Sequence, residues 1–146
     1  MANVWKACLV CALLFLGGCA SDKGTPKETT KEEKQETISL HITIKDEVHN
    51  KILFKDEVSV KGDVKTLADF LSKADELQVK MEDGQYGKTI MGMKGVETKD
   101  FNKGPWWLYE SENNESCKKA GSCDAASSLE IKNGDDFVFK YTSSFQ

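Results

Sequence analysis

Hydrophobic and polar residues alternate at the start of the region that we expect to fold. Four aliphatic residues occupy every second position: Ile38, Leu40, Ile42 and Ile44. This two-residue period is typical of a strand that buries one face. A polar stretch at residues 46–50 predicts a turn, and the apolar positions of residues 51–60 predict a second strand. The pattern therefore indicates a β-hairpin.

The following segment changes to a helical period. Its apolar residues are three or four positions apart: Leu67, Phe70, Leu71 and Ala74. Thr66 precedes them and Asp69 follows Thr66 by three positions, which is the arrangement of a capping box. We therefore predict a short amphipathic helix that packs on the hairpin.

The second half returns to strand patterns. Predicted strands cover residues 77–81, 106–110, 129–131 and 137–141. Within the glycine-rich residues 84–95, Gly92-Met93-Lys94-Gly95 is expected to form turns or a bulge, and Asn133-Gly134-Asp135 predicts a tight turn. Strands, one helix and further strands indicate an α+β fold with a mixed sheet and the helix on one face.

The N-terminus predicts a lipoprotein signal. Residues 7–16 are apolar without interruption, and a run of about ten residues is too short to cross a bilayer. Leu16-Gly17-Gly18-Cys19 resembles the lipobox of bacterial lipoproteins, whose cysteine is lipidated after cleavage. We expect residues 1–18 to be removed and Cys19 to anchor the chain at the extracellular face of the membrane. An ordinary cleaved signal followed by an unrelated cysteine is the alternative.

A polar segment separates Cys19 from the patterned region. Residues 20–37 contain no large apolar side chain, which is typical of a flexible linker that cannot form a core. The predicted organisation is therefore a signal peptide (1–18), a lipidated cysteine with its tether (19–37) and one domain (38–146).

Composition narrows the function. The chain has 20 basic residues, all of them lysine, and 24 acidic residues, with a formal net charge of -4. Because arginine is absent and the charge is negative, we expect no nucleic-acid partner. His41 and His49 are the only histidines, so few groups could transfer protons near neutral pH. We expect a protein that is not an enzyme.

Two cysteines lie within the predicted domain. Cys117 and Cys123 bound a short loop inside a polar insertion at residues 111–127, and outside the cell such a pair predicts a disulfide. The disulfide would hold an insertion that looks too polar to order itself. Free thiols and a metal-binding pair are the alternatives, although further Cys or His ligands are lacking nearby, and no metal site is predicted.

A set of aromatic and methionine residues is the strongest candidate for ligand binding. Its members are Tyr86, Met91, Met93, Trp106, Trp107 and Tyr109. On a strand, Trp106 and Trp107 point to opposite faces, so we expect one of them to be partly exposed. An exposed indole near methionines suits a flat apolar ligand or a partner surface. Alternatively, Trp107 and Tyr109 only cover the second face of the sheet.

Acidic residues cluster late in the chain: Glu110, Glu112, Glu115, Asp124, Asp135 and Asp136. Clustered carboxylates can bind calcium, but the spacing of a calcium-binding loop is absent. A solvated acidic rim is the favoured interpretation.

Four motifs resemble one family. They are residues 67–71 (LADFL), Tyr86-Gly87, residues 106–109 (WWLY) and residues 134–141 (GDDFVFKY), and in this order they resemble the transcobalamin-like C-terminal domain of Gram-positive surface lipoproteins. The resemblance implies a β-grasp-like fold. It also implies that a cobalamin-type ligand would lie against residues 86–95 and 106–109, since the related domain of animal cobalamin carriers covers one face of the corrin ring.

The sequence thus predicts a lipid-anchored surface protein with a non-enzymatic binding module for a corrinoid or another flat cofactor. Because the helical domain that covers the other face in the animal carriers is not recognisable in this sequence, weak binding is expected. The alternative is an adaptor that docks another exported protein or a transporter, and calcium binding is a weaker alternative.

Replacing Cys19 by alanine tests the anchor. Cells fed an alkyne analogue of palmitate should label the wild type but not Cys19→Ala, and the variant should move from the membrane to the medium because it lacks the acyl chains. Ser21→Ala leaves the lipobox intact and should stay on the membrane. Equal membrane retention of Cys19→Ala and the wild type would contradict the prediction.

Overall fold

The computed structural model describes residues 36–145. The predicted signal peptide, Cys19 and the tether up to residue 35 lie outside the described residues. Within residues 36–145, no helix has both the length and the apolar character needed to cross a membrane. The elements are β1 (Thr37–Asp46), β2 (Lys51–Lys61), α1 (Leu67–Lys73), a 3-10 turn (Asp75–Leu77), β3 (Lys80–Gly84), β4 (Gly87–Met93), β5 (Val96–Glu97), β6 (Trp106–Glu110), α2 (Glu115–Ala120) and β7 (Asp136–Thr142).

Four strands form the main sheet in the order β2, β1, β7, β6. β1 pairs antiparallel with β2, which confirms the predicted hairpin. β1 also pairs with β7 in parallel, and β6 pairs antiparallel with β7. A parallel pair requires a long crossover, and this crossover contains α1 and the second sheet. The mixed α+β arrangement is compatible with the expected β-grasp-like fold.

Alternate residues of the central strands form the core. Leu40, Ile42 and Ile44 of β1 and Phe137 and Phe139 of β7 are at most 1% exposed. They follow the two-residue period of the sequence, and their side chains therefore lie on one face of the sheet.

Helix α1 supplies the side chains that pack in the same core. Leu67, Phe70 and Leu71 are buried and belong to the same hydrophobic cluster as the central strands. The Thr66 hydroxyl accepts a hydrogen bond from the Asp69 amide (3.2 Å), and the Asp69 carboxylate accepts one from the Thr66 amide (3.0 Å). The predicted capping box and amphipathic helix are confirmed.

The second half differs from the single mixed sheet that the sequence predicts. β3, β4 and β5 form a separate three-stranded sheet. The glycine-rich residues 84–95, where the sequence predicts no strand, supply strand β4. The turn expected within residues 92–95 is confirmed at Lys94 and Gly95. Leu77 lies in the 3-10 turn, and a left-handed Gln78 follows it (φ 50°), so the strand begins only at Lys80.

The prediction of a strand at residues 129–131 is wrong. Glu130 forms only an isolated bridge with Thr66. Leu129 and Ile131 are buried as the pattern requires, but their backbone groups bond to Leu67 and Lys65 at the start of α1. The pairing does not extend further, because the partner segment continues after Thr66 into helix α1.

The capping box predicts a stability that depends on pH. Hydrogen bonding to the Thr66 amide is the main cause that lowers the pKa of Asp69 below its usual range, against the opposing effect of burial. A lowered pKa in the folded state gives stability that is present above about pH 4 and is lost as the pH falls through the folded-state pKa.

We therefore expect Asp69→Ala to lower the free energy of unfolding by about 1 kcal/mol at neutral pH. The difference from the wild type should shrink in denaturant titrations as the pH is lowered below about 4. Glu76→Ala, which removes an exposed carboxylate nearby, is the control. If the difference in the free energy of unfolding stays constant across this pH range, the ionised Asp69 carboxylate does not stabilise the cap.

Candidate functional site

The register of β6 decides which of its aromatic residues face the core. Trp107 pairs with Tyr141, and Tyr109 pairs with Phe139, so these side chains share the buried face of the sheet. Trp107 is 6% exposed, and its indole N–H donates to the Val96 carbonyl (3.2 Å). Trp106 lies on the opposite face and is half-buried. The expectation of one partly exposed tryptophan is confirmed, and it is Trp106.

The methionines lie in the second sheet. Met93 is fully buried and Met91 is half-buried, so Met93 presents no open surface in this structure. Tyr86 lies at the tip of the β3–β4 hairpin and is 82% exposed. That Trp107 and Met93 contact a ligand stays a prediction, and their burial makes Trp106 and Tyr86 the more accessible members of the set.

The loop at residues 124–127 contacts two of the predicted ligand-binding elements. The Tyr109 hydroxyl donates to the Asp124 carbonyl (2.6 Å), and the Lys88 amide donates to the Ser127 hydroxyl (2.7 Å). Gly87 has a positive φ of 113°, and a Cβ at this position would lie 2.9 Å from the Ser127 hydroxyl oxygen. The hairpin that carries Tyr86 and the strand that carries Tyr109 are thus held to the same loop.

Tyr109 acts here as a neutral hydrogen-bond donor. Burial, with a smaller effect from the charge of Asp124, raises the pKa of Tyr109 to about 12. The phenol therefore keeps its proton at neutral pH. Because the folded-state pKa is raised, the associated stability is present below about pH 10 and is lost as the pH rises toward 12.

Trp106 and Phe145 form an exposed aromatic surface beside the Phe101 backbone, and we call it the aromatic corner. The Trp106 ring lies 4.5 Å from the Phe145 ring, and its N–H donates to the Phe101 carbonyl (2.6 Å). Phe101 and Phe145 are 54% and 68% exposed. A Cβ on Gly104 would lie 2.7 Å from the indole, so only glycine lets the ring pack this closely on the backbone.

Phe101 and Phe145 are not among the residues that the sequence pattern predicts for the site. Neither belongs to a periodic pattern, and only their isolation in polar segments could have marked them as exposed.

An open groove of about 650 Å³ runs beside β6. Its walls come from β6, the end of β7 and residues 121–125. Charged residues at the groove are Glu47, Glu110, Asp124 and Lys140, and Lys140 forms an ion pair with Glu110. We call this feature the β6 groove.

The wall opposite β6 belongs to the polar insertion. Cys117 and Cys123 form the predicted disulfide. Contrary to expectation, the insertion is also ordered by its own structure, because α2 lies within it. Buried Asn114 caps α2 by accepting from the Cys117 amide (3.2 Å), and its side-chain amide donates to the Asp135 carboxylate (2.7 Å). A polar side chain thus fixes the insertion where hydrophobic contacts are few.

Several residues of the predicted acidic rim have protein partners. Glu115 pairs with Lys132 (2.7 Å), and the hydrogen bond from this lysine lowers the pKa of Glu115. Asp135 accepts from Asn114 and from the Lys132 amide. Across residues 36–145, no group of three or more His, Cys, Asp or Glu side chains is placed to hold a metal ion. Within these residues, the carboxylates are therefore not arranged as the set of ligands that calcium binding would need.

Solved structures share this fold at low identity. A candidate metal-binding protein from Ruminococcus gnavus ATCC 29149 has a TM-score of 0.53 and 19% identity, with 74% of this chain and 99% of that chain covered. Haptocorrin in complex with Cbi has a TM-score of 0.54 and 19% identity, and the match covers 76% of this chain but only 26% of haptocorrin. No family model and no curated protein matches the sequence. The likeness supports a transcobalamin-like fold.

Removing the disulfide should loosen one wall of the β6 groove. For so short a loop, Cys117→Ser/Cys123→Ser should lower the free energy of unfolding by about 2 kcal/mol. Hydrogen exchange should rise at residues 115–125 and stay unchanged in β1 and β7. In the wild type, both thiols should react with an alkylating reagent only after reduction, and labelling without a reductant would contradict the disulfide.

Proposed function

We propose that this protein is a lipid-anchored extracellular lipoprotein whose domain binds a flat small molecule without catalysing a reaction, with a corrinoid as the first candidate. The observation that carries the proposal is the fold shared with haptocorrin in complex with Cbi. The lipobox-like residues 16–19 support the anchor.

The aromatic corner is the surface that best suits a flat ring. Its indole is half-buried and held by a hydrogen bond to the Phe101 carbonyl, so it loses little freedom when a ligand stacks on it. Aromatic stacking adds about 0.5–1.5 kcal/mol to the burial of apolar area. Because this surface is open, it would cover one face of a ring and leave the other to solvent or to another protein.

The proposal contains no catalytic step. His41 lies 3.7 Å from the Glu57 carboxylate, and His49 lies 2.7 Å from the Asp46 carboxylate. Both histidines are exposed, and a solvated imidazole held by a carboxylate lacks the enclosed surroundings in which general bases usually act.

Equilibrium dialysis of the mature chain (residues 19–146) against dicyanocobinamide, cyanocobalamin, haem and flavin mononucleotide tests the proposal. We expect retention of at least one corrinoid, and Trp106→Ala should weaken its binding about tenfold because the stacking surface is lost. Ile52→Ala, at the opposite edge of the sheet and 66% exposed in the wild type, is the matched control.

Circular dichroism must show that both variants fold. Retention of none of the four compounds, or equal retention by Trp106→Ala and the wild type, would overturn the proposed ligand class or its site respectively.

A further inference from the structure

The two edge strands of the main sheet differ in how well they are protected from pairing with another chain. β2, at one edge, carries a register shift opposite Ile44 and Lys45 and has lysines at positions 51, 55 and 61. Bulges and lysines are the usual features that keep an edge strand from pairing with another chain. β6, at the other edge, pairs with β7 without a register shift and contains neither lysine nor proline. Its edge lacks these protective features.

The backbone of β6 is open on its outer side. Within residues 36–145, its amide and carbonyl groups make no hydrogen bond beyond the ladder with β7. Alternate residues of an edge strand direct both backbone groups away from the sheet. Five residues at about 3.4 Å each make an edge of roughly 17 Å.

The β6 groove lies along this open edge. Trp107 and Tyr109, from the buried face of the sheet, line it together with Leu108 and Glu110 from the opposite face. The groove therefore reaches both faces of β6 at its edge, and it also extends across β7, where Lys140 and Thr142 line it. Residues 121–125 form the far wall, and the disulfide between Cys117 and Cys123 holds this wall in place.

The charges at the groove select its occupant. Lys140 is engaged by Glu110, whereas Glu47 and Asp124 form no ion pair within the described residues. The Glu47 amide donates to the Tyr141 carbonyl on the β1 side of β7, so Glu47 lies two strands from the open edge. Asp124 adjoins Tyr109 of β6 instead and is the carboxylate beside the edge. A basic side chain would complement it, whereas a second copy of this chain would bring a second carboxylate to the edge.

We propose that the β6 edge binds an extended basic peptide segment of another protein by strand addition. The added strand forms hydrogen bonds with the open backbone groups of β6, and one of its lysine or arginine side chains lies near Asp124. Strand addition draws its affinity from main-chain hydrogen bonds and its selectivity from side-chain pockets. This site is independent of the ring-binding surface proposed above, since it uses the edge of β6 and not the ring of Trp106.

The probe is the peptide acetyl-Lys-Val-Thr-Val-Lys-amide, added to the ¹⁵N-labelled mature chain. Binding should slow amide hydrogen exchange in residues 106–110 by about tenfold. Two controls have the same length: one with glutamate in place of both lysines, and one methylated on its three central backbone nitrogens. Neither should protect β6, because the first carries the wrong charge and the second lacks the backbone donors.

Two charge variants complete the test. Asp124→Lys should weaken binding of the basic peptide about fivefold and strengthen binding of the acidic one, while Glu82→Lys, on β3, should change neither. The proposal is overturned if β6 amides are not protected at saturating peptide, if the methylated peptide protects them equally, or if both variants change affinity alike. Protection of β6 that rises with protein concentration alone would show a second copy at this edge and would also overturn it.

Discussion

The parallel pairing of β1 with β7 is the contact on which the rest of the structure depends. It joins segments far apart in the chain: Ser39 and Asn133, whose backbone and side chain bond at the start of this pair, are 94 positions apart. Closing so long a loop is unfavourable in entropy, and burial of the β1 and β7 side chains offsets that cost. All elements that lie between β1 and β7 in the sequence must then pack around this pair of strands.

This pairing fixes the role of each aromatic residue. β6 pairs with β7, so the side chains opposite Phe139 and Tyr141 are drawn into the core and their neighbours are left on the open face. Trp107 becomes a buried core residue with a bonded indole, and Trp106 becomes a platform for Phe145. A shift of one residue in this register would exchange the two tryptophans. The difference between a core residue and a candidate binding residue therefore comes from pairing, not from residue type.

The same sheet produces two neighbouring surfaces of different chemistry. The aromatic corner offers exposed rings at the start of β6. The β6 groove offers backbone groups and carboxylates along the edge, because the insertion at residues 111–127 stands beside the strand without pairing with it. The disulfide and buried Asn114 keep the insertion in this position. A module with these two surfaces could hold a flat ligand and a partner segment at the same time.

Elements with local signals could be predicted from the amino-acid sequence. The hairpin, the capping box of α1, the strand at residues 106–110, the turn at residues 133–135 and the disulfide all follow from periods or spacings within a few residues. Only the folded chain shows that β3–β5 form a separate sheet, that residues 129–131 meet a helix start, and that Trp106 contacts the Phe145 ring and the Phe101 carbonyl. These features depend on which distant segments meet. The hydrophobic period of a segment does not show which other segment it will contact.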